Sequence, residues 1–105
     1  MNISINKNVL ENMLINSLSF LDKKDSSQIT SHVLLNAHDG LLTLKATDFE
    51  IGLSMETKNV NIALPGVATA NGKKLFDIIK ILKDDEVILK VESDFLHIKQ
   101  NRSKF

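Results

Sequence analysis

Apolar positions along the chain switch between two periods, and the switches divide it into elements. "NISIN" alternates and predicts a short strand. Val9, Leu10, Met13, Leu14, Leu18 and Leu21 then recur at three- and four-residue steps, which predicts an amphipathic helix over 7–21 with Asn6 as its N-cap. The polar run "DKKDSSQ" predicts a loop. Period two returns over 29–37, where Val33, Leu35 and Ala37 share a face. Asp39-Gly40 is a hairpin signal, because both central residues of a type I′ turn need positive φ. Leu42, Leu44 and Ala46 alternate on the return strand. Phe49, Ile51, Leu53 and Met55 alternate again against Glu50, Gly52, Ser54 and Glu56. The three strands make an antiparallel meander.

The order of elements then repeats. Val60, Ile62 and Leu64 predict a strand, interrupted at Pro65-Gly66. Asn71 caps a second helix that buries Leu75, Phe76, Ile78, Ile79 and Leu82. Val87, Leu89 and Val91 form a strand, Ser93-Asp94 turns it, and Leu96 and Ile98 alternate back. Asn101 offers one more turn, and 102–105 begins a return strand. Strand, helix and three strands therefore occur twice, the second time with the last strand cut short. The match is one of pattern, without residue-by-residue identity. It predicts an α+β fold with two helices packed on antiparallel sheet.

At 105 residues, with 43% apolar and 25% charged side chains, the chain has the composition of one soluble globular domain. The absence of cysteine excludes disulfides, thiolate metal sites and thiol nucleophiles. No apolar run approaches the roughly 18 residues of a membrane span, and "MNISINKN" is not a signal peptide. A cytoplasmic protein is the expectation.

Candidate chemistry is sparse. His32 and His38 share a strand face, but extended spacing separates their Cα atoms by roughly 20 Å, too far for one metal ion. His97 lies on the polar face of another strand. "PGVATANGKK" lacks the Gly-Lys-Ser/Thr of a phosphate loop. Asp48 and Glu50 are two apart at a strand entrance, where acids more often cap backbone than do acid–base work. Nothing assembles a nucleophile, a base and an oxyanion donor, so no enzyme, cofactor or metal is predicted.

The lysines change the picture more. Lys and Arg number 13, matched by 13 Asp and Glu. Yet Lys7, Lys23, Lys24, Lys73, Lys74, Lys80 and Lys83 all fall on the two helices or the loop at their ends. Asn8, Asn12 and Asn16 follow the exposed side of the first helix. Helices packed side by side would present a basic, Asn-rich surface suited to phosphates and not to reading bases. Such binding is sequence-blind and salt-dependent.

Four stretches, "NMLINSLSFL", "HDGLLTLKATDFEI", "LPGVATANGKKLFDIIKIL" and "NRSKF", resemble the bacterial sliding clamps, the β subunits of DNA polymerase III, in order and spacing. The resemblance spans nearly the whole chain and covers the first of that family's three similar domains. It implies that residues 1–105 are a truncated first domain, with further domains beyond 105. It implies a ring of two head-to-tail chains around duplex DNA that tethers the replicative polymerase and is not itself catalytic. The polymerase catalytic subunit and the clamp loader would bind through domains absent here. Lys24, with Lys23 beside it, matches the family's DNA-contacting basic loop. Lys7, Lys80 and Lys83 are further expected DNA contacts. Lys74, Ile78 and Leu82 form a stripe at four-residue spacing. With Arg102, Lys104 and Phe105 they match the family's subunit seam. Two other classes stand beside this reading: a stand-alone interaction domain using a sheet edge, and, distantly, a hydrolase using Asp48 and Glu50.

Overall fold

The computed structural model describes residues 1–22, 32–47, 52–100 and 103–104. Strand β1 (Asn2–Asn6) leads into helix α1 (Lys7–Asp22). Asn6 turns the corner between them: its Oδ1 accepts the Asn8 N–H at 2.9 Å and satisfies a donor that the first helical turn leaves free. Strands β2 (His32–His38), β3 (Leu41–Thr47) and β4 (Gly52–Thr57) form the predicted meander. Asp39 and Gly40 both adopt positive φ, 55° and 76°, as the two-residue hairpin requires.

The next segment departs from the sequence reading. Val60–Leu64 is a strand, β5, but it does not lead into the second helix. Gly66–Asn71 forms a further strand, β6, directly before helix α2 (Gly72–Ile79). Pro65 and Gly66 mark the passage of the chain from one sheet to the other. β5 pairs with β1, whereas β6 pairs with β2. Strands β7 (Glu86–Glu92) and β8 (Phe95–Gln100) follow, and the last strand, β9, is a two-residue stub, Ser103–Lys104, against β8.

One sheet runs β5-β1-β7-β8-β9 and the other β4-β3-β2-β6. The two strand–helix–strand units are thus β1-α1-β2-β3-β4 and β6-α2-β7-β8-β9, the second opening on β6 and not on the predicted strand at Val60–Leu64, and they exchange their first strands. β1 pairs with β7 of the second unit, and β6 pairs with β2 of the first. All of these pairs are antiparallel.

A single core joins the layers. Ile3, Ile5, Val87, Leu89 and Ile98 face inward from one sheet, and Val33, Leu35, Ala37, Leu42, Leu44 and Ala46 from the other. Leu10, Met13 and Leu14 of α1 and Leu75 and Ile79 of α2 cover them. Burial of an aliphatic side chain of this size contributes about 1.5–3 kcal/mol. Ser17 is the polar exception inside α1; fully buried, it donates its hydroxyl to the Met13 carbonyl at 2.9 Å. The two helices pack against each other, α1 also touching β1, β3 and β4, and α2 touching β6.

Candidate functional site

The paired helices leave one face to solvent. On α1, Asn8, Asn12, Ile15 and Asn16 are exposed. On α2, Lys73, Lys74 and Asp77 are exposed, as is Lys80 at its C-cap. α2 starts where its cap dictates: Asn71 Oδ1 accepts the Lys74 N–H at 3.0 Å. Its short apolar stripe buries Leu75 and Ile79 and leaves Phe76, Ile78 and Leu82 partly covered against the core.

The five lysines assigned to DNA do not share one environment. Lys7 reaches Glu11 at 3.3 Å with only 13% of its side chain exposed, so its charge is already met at home. Lys80 lies 3.3 Å from Asp77 and 5.6 Å from the centroid of the Phe76 ring, and remains half-exposed. A pair this exposed contributes roughly 0–1 kcal/mol and can be surrendered to a phosphate. Lys83 is not helical: α2 ends at Ile79 with Lys80 as its C-cap, and Lys83 follows in an exposed turn. Lys23 and Lys24 lie outside the described residues.

The expected seam residues divide in the same way. Lys74, Ile78 and Leu82 share a stripe along α2 and the turn beyond it. Lys74 is fully on the surface, and Ile78 and Leu82 each have one side on the core. Lys104 stands in β9 opposite Lys99. Arg102 and Phe105 lie outside the described residues, as do Asp48 and Glu50.

Sequence reasoning missed Gln100. It is the last residue of β8, 5% exposed, and its side-chain amide grips the turn after α2. Oε1 accepts the Lys83 N–H at 2.9 Å, and Nε2 donates to the Lys83 carbonyl at 2.8 Å. A signal was present, since Leu96, Ile98 and Gln100 fall on one strand face and a glutamine there is out of pattern.

His38 Nδ1 hydrogen-bonds Asn36 Oδ1 on the surface of β2. Among the described residues no group of three His, Cys, Asp or Glu side chains could hold a metal ion. Among the same residues no helix is long and apolar enough to cross a membrane.

Known proteins match both sequence and geometry. The family described as "DNA polymerase III beta subunit, N-terminal domain" matches residues 1–105. The chain is 48% identical over 105 residues to the beta sliding clamp of Helicobacter pylori strain J99, covering 100% of this chain and 28% of that protein. The Escherichia coli K12 beta sliding clamp is 31% identical over 78 residues, 73% of this chain and 21% of its own length. The solved H. pylori beta clamp bound to a DNA ligase peptide superposes with a TM-score of 0.90 at 48% identity, across 100% of this chain and 29% of that one. Caulobacter crescentus pol III beta gives 0.89 at 29% identity, across 100% and 28%. The matches take in 21–29% of the length of these relatives. It belongs to the bacterial DNA polymerase III beta-subunit family, the sliding clamps, and corresponds to the N-terminal domain of that family.

Proposed function

We propose that this domain is one segment of a ring that two full-length chains close, head to tail, around duplex DNA. The ring is a non-catalytic cytoplasmic processivity factor: it tethers the replicative polymerase at the primer end and raises its effective concentration there. Further domains beyond 105 complete the ring and bind the polymerase and the clamp loader. The observation that carries this reading is the pair of adjacent helices with a polar outer face of Asn and Lys, in a chain that matches the clamp family along its whole length.

That face suits sliding. Lysines are point charges that meet phosphates without fixing a register, and asparagine adds neutral hydrogen bonds. Lys7 and Lys80 also hold carboxylate partners, so no single contact anchors the duplex. Lys24, Lys23, Lys80 and Lys83 supply the main contacts and Lys7 a weaker one. Lys74, Ile78 and Leu82 meet the second subunit together with Arg102, Lys104 and Phe105.

The test is topological. Full-length protein containing this domain is loaded onto nicked circular DNA, and its retention is measured in high salt before and after the circle is cut. Retention on the circle and loss on linearisation supports the ring. Equal release from both would leave an ordinary salt-sensitive DNA binder and overturn it.

A further inference from the structure

Gln100 is buried, yet both ends of its amide are used on the backbone of Lys83, an exposed residue in a turn. Both bonds are partly buried, so they satisfy two backbone groups of Lys83 and add to stability. Stability is not all they add. What the two bonds also supply is position. The same turn is tied a second time: the Lys83 carbonyl also accepts the Asp85 N–H at 2.8 Å, and the Asp85 carbonyl accepts the Lys7 N–H at 2.9 Å.

The pinned turn carries an unusual surface. Ile81 is 68% exposed at the point where the helical path tightens, its N–H reaching the Ile78 carbonyl at 3.3 Å. Leu82 follows, with its N–H on the Ile79 carbonyl at 3.1 Å. Ile81 thus stands one turn on from Ile78 and next to Leu82, beside the stripe that Lys74 begins. Gln100 belongs to β8, at the register position paired with Ser103 of β9. The two pieces of chain that carry the proposed seam are therefore fastened to each other through the Gln100 side chain.

We propose that Gln100 is a positioning residue for the ring seam, holding the Ile81–Leu82 turn and the β8–β9 edge as one rigid surface for a second copy of the chain, with Ile81 as its exposed apolar contact. This rests on the ring reading above. The cost of ordering the turn is met in the free subunit, so it is not charged against assembly.

The experiment is a double-mutant cycle in the full-length protein, read as ring lifetime on nicked circular DNA. Gln100→Met keeps volume and burial while removing both hydrogen bonds. Ile81→Ser changes only the exposed contact. Each single variant is expected to shorten the lifetime about tenfold, an energy of about 1.4 kcal/mol. The double variant is expected to match the worse single one, because an unpinned turn no longer presents residue 81. Melting temperature is expected to change little in Ile81→Ser and to fall by a few degrees in Gln100→Met, which loses two partly buried bonds. Lifetimes within twofold of wild type for either single variant overturn the proposal, as do single effects that multiply in the double variant. If Gln100→Met does not fold, Ile81→Ser alone decides: an unchanged lifetime overturns the proposal. Failure of the wild-type protein to stay on the circle removes the ring itself, a result distinct from all of these.

Discussion

A Cβ built on Gly66 would stand 2.9 Å from the backbone nitrogen of Met1 and 3.2 Å from its Cα. The start of the chain lies across the point where β5 gives way to β6, and it is held there by the Met1 carbonyl, which accepts the Val91 N–H at 3.0 Å. Gly66→Ala must therefore displace backbone, at a cost of about 1–3 kcal/mol. Gly40→Ala meets no atom within 4 Å and suffers only from its φ of +76°, a penalty of about 1–2 kcal/mol. Chemical denaturation of both variants is expected to rank Gly66→Ala as the more damaging. The reverse order would mean that Met1 moves aside freely.

The β7–β8 hairpin turns on Ser93 and Asp94, with φ of 52° and 65° and no glycine. Its counterpart between β2 and β3 has Gly40 at the second position. Asp94→Gly removes the left-handed strain and is expected to stabilise the domain by about 0.5–1 kcal/mol. A calorimetric melting temperature raised by a few degrees is the expected result. A lowered one would show that the Asp94 side chain holds the turn by a bond worth more than the strain.

Lys74 and Leu82 share the α2 stripe but differ in what the core asks of them. Lys74 is exposed, so Lys74→Glu is expected to leave stability within about 0.5 kcal/mol while weakening subunit association. Leu82 is half-buried against the core. Leu82→Ala is expected to lower both, with roughly 1–2 kcal/mol lost from folding. Sedimentation of the full-length variants, paired with thermal melts, separates the two behaviours. Unchanged association in Lys74→Glu would remove that residue from the seam.

Lys7 and Lys24 make a second contrast. The ion pair with Glu11 leaves Lys7 little charge to offer. Lys7→Ala is expected to leave the salt dependence of DNA binding almost unaltered, whereas Lys24→Ala lowers the slope of log K against log salt by about one. Titrations across a salt series read this directly. Equal losses of slope would place both lysines on phosphates.

The meander and both helices were legible in the sequence because each is a run of one period bounded by a specific stop. Asp39-Gly40 is the clearest case, since only a tight turn needs two successive positive φ values. β6 was not legible. "GVATA" alternates, but its inward residues are Ala68 and Ala70, too small to announce a buried face, and Pro65 reads as an interruption. The end of α2 was misjudged for the opposite reason. Ile81 and Leu82 continue an apolar rhythm after the helix has stopped at Ile79. Of the proposed surface, the Lys74, Ile78 and Leu82 stripe follows from helical spacing. The tie from Gln100 to Lys83 spans two elements remote in sequence, and no local period reports such a bond.

The exchange of first strands between the two units has a consequence for synthesis. β2, β3 and β4 can zip up as soon as they exist, because each partner is a hairpin neighbour. β1 has no such neighbour. Ile5 must wait for Val60 and then Val87 before its backbone is paired on both sides. A segment made early in the domain is thus among the last to find its place. Until then Ile3 and Ile5 lack the core neighbours Val87 and Leu89. Slow, nonlocal closure of this kind is where a nascent chain most needs protection from its neighbours.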